Sequence, residues 1–323
     1  MAVSVRRPTA GSEDVEFYLA LYRRMLLIRR VEDLVQTLFL RGEVYGTTHL
    51  YSGQEAVAVG FASALTAEDR VAATYRGHGH ALALGVDPQK LLDEMLGRAT
   101  GINGGLAGSM NVTSPSDRLI GSFGIVGGSI AAATGAALAL KRTGGVAVAY
   151  FGDGATNQGY FFECLNFCMV LNLPIVLVCE NNGYGEYTPF EDVTSGPILA
   201  RAESMEVPTE QVDGMAVWET RAVAQRATEH ARSGKGPYFV EAITYRFVGH
   251  SRSDPGKYRP EGELDRWKGR DPLFVLRARL QEEGAEAAAI DEIDASVEAE
   301  LVQMEERGLA APFPEPREIP EFA

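Results

Sequence analysis

Apolar and polar positions follow the clearest pattern between residues 146 and 186, where they predict a strand, a helix and a second strand. The first strand is the apolar run at 146–151. Residues 157–171 then carry apolar side chains at helical spacing, and Pro174 precedes a second apolar run at 175–178. A βαβ unit of this kind has parallel strands and a right-handed connection.

The same patterns elsewhere in the chain predict an α/β fold. Helices are predicted at 12–40, 54–65, 84–97, 129–140 and 215–233, strands at 70–74 and 238–243, and two helical stretches between 271 and 307. Alternating strands and helices are typical of a mostly parallel sheet with helices on both faces. We therefore predict a flexible arm over residues 1–14, one domain over 15–270, and a helical extension and tail of that domain over 271–323.

Four polar or glycine-rich segments are predicted to be loops and turns. Residues 42–53 contain His49, a turn after residue 76 contains His78 and His80, and residues 100–120 form a long loop. Residues 245–259 follow a predicted strand, are rich in Gly and Pro, and predict a mobile lid that carries His250. A lone histidine is more often structural than catalytic, so both interpretations of His49 and His250 stay open on these grounds.

Asp153 and Asn182 each follow a predicted strand of the βαβ unit, at the edge where open α/β sheets bind ligands. A dinucleotide site with Glu180 as the ribose-binding acid is one interpretation. The glycines miss the G-x-G-x-x-G spacing, however, and Asp153 would repel a diphosphate. A divalent cation removes that objection, because Mg²⁺ is commonly held by one or two carboxylates and by phosphate oxygens. The amide oxygen of Asn182 and a backbone carbonyl near Tyr184 can supply further ligands.

Composition and charge narrow the function classes. The chain has 323 residues, of which 46% are apolar and 23% charged, as is ordinary for a globular protein. Its net charge of −14 argues against nucleic acid or an anionic membrane as a partner. No apolar run approaches the ~18 residues of a membrane helix, and the first residues lack the apolar core of a signal peptide, so we predict a cytoplasmic protein. Cys164, Cys168 and Cys179 lie in apolar segments and are expected to be reduced and buried.

The spacing of the motifs resembles that of a known family. Gly152-Asp153-Gly154 is separated from Asn181-Asn182 by residues 155–180, and this arrangement resembles the thiamine diphosphate motif. After residue 15, nearly the whole chain resembles the α subunit of the E1 component of 2-oxo acid dehydrogenases, in particular the pyruvate type. Further matching stretches lie at 49–55 (HLYSGQE), 74–78 (TYRGH), 124–127 (GIVG), 212–214 (VDG), 233–237 (SGKGP) and 245–259.

This resemblance implies that thiamine diphosphate and Mg²⁺ bind to the diphosphate-type domain of the thiamine diphosphate-binding fold. It implies that Asp153, Asn182 and Tyr184 hold the metal. It also implies that the cofactor is contacted by residues near the ends of the predicted strands and on the lid, namely Tyr75, Arg76, Gly124, Ile125, Val126, Asp153, Gly154, Ala155, Asn182 and His250. His49 and His250 match histidines that lie near the substrate in the family, and are the candidate catalytic residues.

The resemblance further implies that this chain is half of an enzyme. In the family, the glutamate that activates the cofactor belongs to a separate β subunit, and the α2β2 enzyme passes an acyl unit to a lipoyl-bearing E2 or another acyl carrier. We therefore expect activity only with a β subunit, on a small 2-oxo acid, with pyruvate favoured. Acetoin cleavage and ketol transfer from a sugar phosphate stay open, since Asn111 stands where family members often have histidine. A non-catalytic subunit is disfavoured because Asp153 and His250 are both present.

Overall fold

The computed structural model describes residues 12–316, with only the backbone described for residues 12–14. Its helices are α1 Ser12–Leu40, α2 Glu55–Ala62, α3 Gly77–Leu84, α4 Pro88–Met95, α5 Gly128–Leu140, α6 Gly159–Val170, α7 Phe190–Val193, α8 Ile198–Glu203, α9 Val217–His230, α10 Glu263–Lys268, α11 Pro272–Glu282 and α12 Ala287–Ala310. Its strands are β1 Arg70–Thr74, β2 Leu119–Phe123, β3 Ala147–Gly152, β4 Ile175–Asn181, β5 Tyr184–Gly185, β6 Thr188–Pro189, β7 Thr209–Asp213 and β8 Tyr238–Ile243.

Six of these strands form one parallel sheet in the order β2-β1-β3-β4-β8-β7, which confirms the predicted α/β class. Strands β5 and β6 form a small separate antiparallel hairpin. The chain passes from β1 outward to β2 and then returns to the other side of β1 to form β3. This reversal places a crevice between the carboxyl ends of β1 and β3, where doubly wound sheets bind ligands.

Helices cover both faces of the sheet, and the side chains of β3 alternate between the two layers. Val148 and Tyr150 join the core formed with α1, α2, α9 and their neighbours. Ala149 and Phe151 join the core formed with α5, α6 and α8. A strand buried on both faces has a continuous run of apolar residues, so the apolar pattern was sufficient to predict this strand.

The predicted helix at 84–97 is confirmed only over α4, and the predicted turn at His78 and His80 was wrong. The chain forms two short helices there, because Gly85 ends α3 with φ +97° and the Asp87 side chain caps α4. Both histidines lie in α3, despite the low helix propensity of the Gly and His residues in its first half. At Gly79, close packing against Tyr51 outweighs the low helix propensity of glycine. An added Cβ at this position would lie 2.0 Å from the ring of Tyr51.

The predicted loop at 100–120 is correct only in part. Its last two residues begin strand β2, which pairs in parallel with β1. Gly121 and Ser122 interrupt the apolar pattern of this strand, so its pairing depends on a partner that lies far away in sequence. The irregular part, from residue 100 to Ser114, approaches the carboxyl edge of the sheet.

The two ends of the described chain pack on the body of the domain. Helix α1 begins at Ser12. Residues 1–11 of the predicted arm lie outside the described residues. Helices α11 and α12 pack against α1. Arg29 of α1 links the body to this extension, because its guanidinium donates to Glu55 Oε1 at 2.6 Å and to Asp271 Oδ2 at 2.8 Å. Between residues 12 and 316, no helix is long and apolar enough to cross a membrane.

The predicted state of the cysteines is confirmed in part. All three thiols are free, and Cys168 and Cys179 are buried. Cys164 is only half-buried. Nowhere in the described range do three or more His, Cys, Asp or Glu residues cluster to hold a metal ion, so these thiols are not part of such a cluster.

Candidate active site

One pocket of about 370 Å³ lies at the carboxyl edge of the sheet and brings the predicted site residues together. The ends of β1, β2, β3, β4 and β8 and the lid that follows β8 contribute to it. It is lined by every residue that the sequence singled out for the site: His49, Tyr75, Arg76, Gly124, Ile125, Val126, Asp153, Gly154, Ala155, Asn182, Tyr184 and His250. Asn111 does not line this pocket, and its side chain is exposed.

Asp153 is a buried carboxylate whose charge is only partly compensated, by backbone N–H groups and by the charge of Arg246. It follows β3 in a 3-10 turn and is only 1% exposed. Its Oδ2 atom receives no hydrogen bond from any residue that the structure describes. Burial raises the pKa of Asp153 to about 6, because the charged form loses its hydration. A cation bound at this oxygen would remove that penalty.

Asn182 presents an oxygen on the same side of the pocket. Its Nδ2 donates to Gln54 Oε1 at 3.0 Å, which fixes the orientation of the amide. Its Oδ1 accepts the backbone N–H of Tyr184 at 3.2 Å and keeps a second lone pair. Carboxylate and amide oxygens suit a hard cation such as Mg²⁺, so the residues present fit the predicted metal.

Arg76 is a buried cation that forms no ion pair with a carboxylate within residues 15–316 and is 4% exposed. Its guanidinium instead donates to Leu50 O at 2.9 Å and to His250 O at 2.6 Å. Burial lowers the pKa of Arg76 to about 10. A buried guanidinium without an anion favours a ligand with phosphate or carboxylate oxygens.

His49, Tyr75 and His250 form an aromatic cluster beside Arg76. The ring centroids of His49 and Tyr75 lie 4.6 Å apart, and those of Tyr75 and His250 lie 5.7 Å apart. Burial and the charge of Arg76 lower the pKa of His49 to about 3 and that of His250 to about 4. Both rings are therefore neutral at neutral pH.

The tautomer of His250 follows from its neighbours. Guanidinium groups of Arg76 and Arg246 each lie 3.3 Å from His250 Nδ1. Because a guanidinium only donates, Nδ1 accepts and the ring proton lies on Nε2. His250 thus offers one N–H group for a reacting oxygen.

The segment 124–127 forms an open apolar wall of the pocket. Ile125 is 74% exposed and Val126 is 43% exposed. Tyr160 donates its hydroxyl to the carbonyl oxygen of Val126, and Gly127, with φ +75°, turns the chain into α5. Two exposed aliphatic side chains beside a polar pocket mark a surface that a partner would cover.

Sequence reasoning missed several lining residues, of which Arg246, Glu180 and Glu186 carry charge. Arg246 is buried and donates to Tyr258 Oη at 2.6 Å, which ties the lid to the pocket. It follows the end of β8, so the strand-end argument that predicted Asp153 and Asn182 could have found it. Glu180 was considered only as a ribose-binding acid. It accepts the hydroxyl of Tyr51 and lies 3.2 Å from His80 Nε2.

Comparison with known proteins places the chain in a family. Residues 23–317 match the family described as "Dehydrogenase E1 component". The pyruvate dehydrogenase E1 component subunit alpha of Porphyra purpurea is 39% identical over 94% of this chain and 92% of its own length. The alpha subunits of two acetoin:2,6-dichlorophenolindophenol oxidoreductases are also similar. That of Cupriavidus necator is 38% identical over 95% of this chain and 93% of its own length, and that of Bacillus subtilis is 45% identical over 69% and 68%.

The chain therefore belongs to the E1 α subunits of the 2-oxo acid dehydrogenase family, a family of thiamine diphosphate-dependent oxidoreductases. The family that the sequence resembles and the predicted enzyme class are both confirmed. Identity near 40% to relatives named for pyruvate and for acetoin does not separate those two substrates.

Proposed function

We propose that this chain is the α subunit of an E1 enzyme that decarboxylates a small 2-oxo acid, with pyruvate favoured. In this proposal it works with a β subunit, uses thiamine diphosphate and Mg²⁺, and passes the acyl unit to a lipoyl carrier. One observation carries it: two buried charged groups line the same pocket. Asp153 has a carboxylate oxygen that accepts no hydrogen bond, and Arg76 forms no ion pair with a carboxylate among the described residues. A metal diphosphate satisfies both, since the cation binds the carboxylate and the phosphate oxygens bind the arginine.

The site residues divide into metal, phosphate and ring contacts. Asp153, the Oδ1 atom of Asn182 and the backbone carbonyl of Tyr184 would hold Mg²⁺. Arg76 would bind the diphosphate beside Tyr75, and the backbone N–H groups of the turn at 154–155 would approach it. The backbone at 124–126 would hold the aminopyrimidine. When bound, the cofactor supplies the nucleophile and the electron sink that decarboxylation requires.

His49 and His250 would manage protons around the substrate. As a neutral ring with its proton on Nε2, His250 can donate a hydrogen bond or a proton to a developing oxygen charge. Arg76 and Arg246 hold the ring in this orientation through its other nitrogen. His49 packs against His250 and excludes water from one side of it.

The exposed pair Ile125 and Val126 supports the requirement for a β subunit. The wall that they form faces away from the core of this chain, so a second subunit has to close the pocket. That subunit would also bring the activating glutamate. Neither a lipoyl carrier nor a compartment is tested by these observations, and both stay predictions.

Acetoin is the second candidate substrate. Two similar proteins are named as acetoin oxidoreductases, and Asn111 offers an amide that can hydrogen-bond a hydroxyl. The Asn111 Oδ1 atom lies 3.9 Å from where a Cβ on Gly124 would stand, so it borders the open wall. Ketol transfer from a sugar phosphate would use the same amide.

A comparison of four substrates tests the proposal. The α chain is co-expressed with its β subunit, and kcat/KM is compared for pyruvate, 2-oxoisovalerate, acetoin and a ketose phosphate with a dye acceptor. Pyruvate is expected to be used best, because the chain, including residues 245–259, resembles the pyruvate-type α subunits in particular. A better result for acetoin would select the second candidate, with Asn111→His as the variant that tests its cause. No reaction with any of the four would reject the proposal.

A further inference from the structure

A buried histidine behind the pocket connects two of its walls. His78 and Glu32 are both 0% exposed. His78 Nδ1 lies 3.2 and 3.1 Å from the two carboxylate oxygens of Glu32. His78 Nε2 lies 3.1 Å from the carbonyl oxygen of Ser109 and 2.9 Å from its hydroxyl. Both ring nitrogens therefore face oxygen atoms.

The partners of this ring indicate a charged imidazolium. An ionised carboxylate and a carbonyl oxygen can only accept, so the Glu32 side requires a proton on Nδ1 and the carbonyl of Ser109 requires one on Nε2. In a neutral ring, Nε2 could still accept the Ser109 hydroxyl. Its lone pair would then face the carbonyl oxygen at 3.1 Å, which is repulsive.

Glu32 and Ser109, the two partners of His78, are connected to different walls of the pocket. Glu32 Oε1 also accepts the backbone N–H of Tyr51 at 3.0 Å, two residues after His49. Ser109 is followed by Met110, which lines the pocket.

The loop that carries Ser109 is held firmly on its far side by Glu94. The buried carboxylate of Glu94 accepts four backbone N–H groups at 2.7 to 3.2 Å, from Asn103, Gly105, Ala107 and Gly108. A shift at Ser109 is therefore passed to Met110 rather than absorbed by the loop.

We propose that His78 is a positioning residue: a buried imidazolium that holds the wall carrying His49 and the wall carrying Met110 at a fixed separation. Its functional meaning rests on the proposed function, because both walls border the presumed substrate space. The charge state of His78 and its effect on the position of Met110 do not depend on the proposed function.

The charges around His78 set its response to pH. Burial and the nearby positive charge of Arg76 oppose protonation, but the charge of Glu32 and the hydrogen bonds to Glu32 and Ser109 outweigh them and raise the pKa of His78 above its ordinary value. The stability that the ion pair contributes is then fully present below the ordinary pKa and is lost as the pH rises through the folded pKa. Deprotonation removes one of the two connections, so the walls should loosen as the pH rises through the folded pKa of His78.

NMR of the assembled enzyme with isotope-labelled histidine and methionine tests the proposal directly. The chain has five histidines and eight methionines, so assignment by single substitution is practical. Two protonated nitrogens on His78 at neutral pH are expected, with loss of one proton as the pH rises further. In Glu32→Gln this loss should occur at lower pH, whereas in Glu16→Gln, an exposed position on the same helix, it should not move. A bare ring nitrogen at neutral pH would overturn the proposal.

Three variants separate positioning from other roles. His78→Gln should shift the methyl signal of Met110 and lower kcat/KM by at least about 10-fold, since misplacement by 1 Å can cost ~10²-fold. His230→Gln, a half-buried histidine outside the pocket, should do neither. Ser109→Ala keeps the carbonyl acceptor, so His78 should stay doubly protonated. An unmoved Met110 signal in His78→Gln would refute the positioning role. If the NMR results hold while no 2-oxo acid reacts, only the proposed function fails.

Discussion

The imidazole rings of His49 and His250 meet edge to face with their centroids 4.8 Å apart, although one precedes the first strand and the other follows the last. Arg76 and burial keep both rings neutral. The pocket thus combines two neutral histidines with a guanidinium and a desolvated carboxylate. This arrangement separates the groups suited to proton transfer from those suited to a metal diphosphate.

Replacing Asp153 should weaken cofactor binding without harming the fold. Asp153→Asn removes a buried charge that its surroundings only partly compensate, so the cofactor-free chain should be at least as stable as the natural one. Affinity for thiamine diphosphate should fall, and more at limiting Mg²⁺ than at excess. Calorimetric titration at several Mg²⁺ concentrations measures this, with Asp192→Asn as an exposed control. Unchanged affinity and metal dependence would remove Asp153 from the metal site.

Replacing His250 should affect turnover more than binding. His250→Ala is expected to keep cofactor affinity nearly intact and to lower kcat by about 10²–10⁴-fold, the usual range for a general acid–base group. Steady-state kinetics of the α/β complex with its acyl acceptor provide the measurement. His230→Ala serves as the matched control. Turnover close to that of the natural enzyme would make His250 a structural residue of the lid.

Acid should destabilise the cofactor-free protein through the same two histidines. Their ordinary pKa of 6.5 is lowered in the folded chain to about 3 for His49 and about 4 for His250. As the pH falls below 6.5, the unfolded chain takes up protons that the folded chain does not, so stability decreases until the folded pKa values are reached. Denaturant midpoints between these limits should fall less steeply for the double variant His49→Gln/His250→Gln. Parallel slopes for the two proteins would show that these rings do not control acid stability.

The chain alone should be inactive and prone to association. The wall of its pocket at 124–127 is open, and Ile125 and Val126 expose aliphatic surface there. Ile125→Ser should reduce self-association of the isolated chain in sedimentation velocity, while also weakening its complex with the β subunit. Val302→Ser, at an exposed position on α12, is the control. Decarboxylation by the purified α chain, with no β subunit detected by mass spectrometry, would contradict the prediction.

The parts of the fold and site that the sequence predicted follow from local rules. Strands β3 and β4 are buried on both faces, so their apolar runs are continuous and their ends are clear. Asp153 and Asn182 follow these ends, and parallel strands bring such ends to one edge. Arg76 follows β1 in the same way. The strand ends therefore account for these three residues of the pocket, whereas most of the other predicted residues came from the family resemblance.

The parts that escaped prediction depend on contacts between distant segments. Strand β2 contains Gly121 and Ser122 and exists because it pairs with β1. Helix α3 forms because Gly79 lets it approach Tyr51. The buried pair of His78 and Glu32 joins α3 to α1, and neither residue lies in an element whose pattern marks the other as a partner. Hydrophobic periodicity describes one element at a time, so it gives no sign of such pairings.

The parallel order of the sheet also affects how the chain folds. Every neighbouring pair of strands in it is parallel, so no pairing can be closed by a tight hairpin. Each pairing closes a long loop of chain, a feature associated with slow folding. The pocket gathers groups from the ends of five strands, so it is complete only when nearly the whole sheet has formed. A ligand that binds only the finished pocket therefore stabilises the domain as a whole, by about 2.7 kcal/mol at a hundredfold excess over Kd.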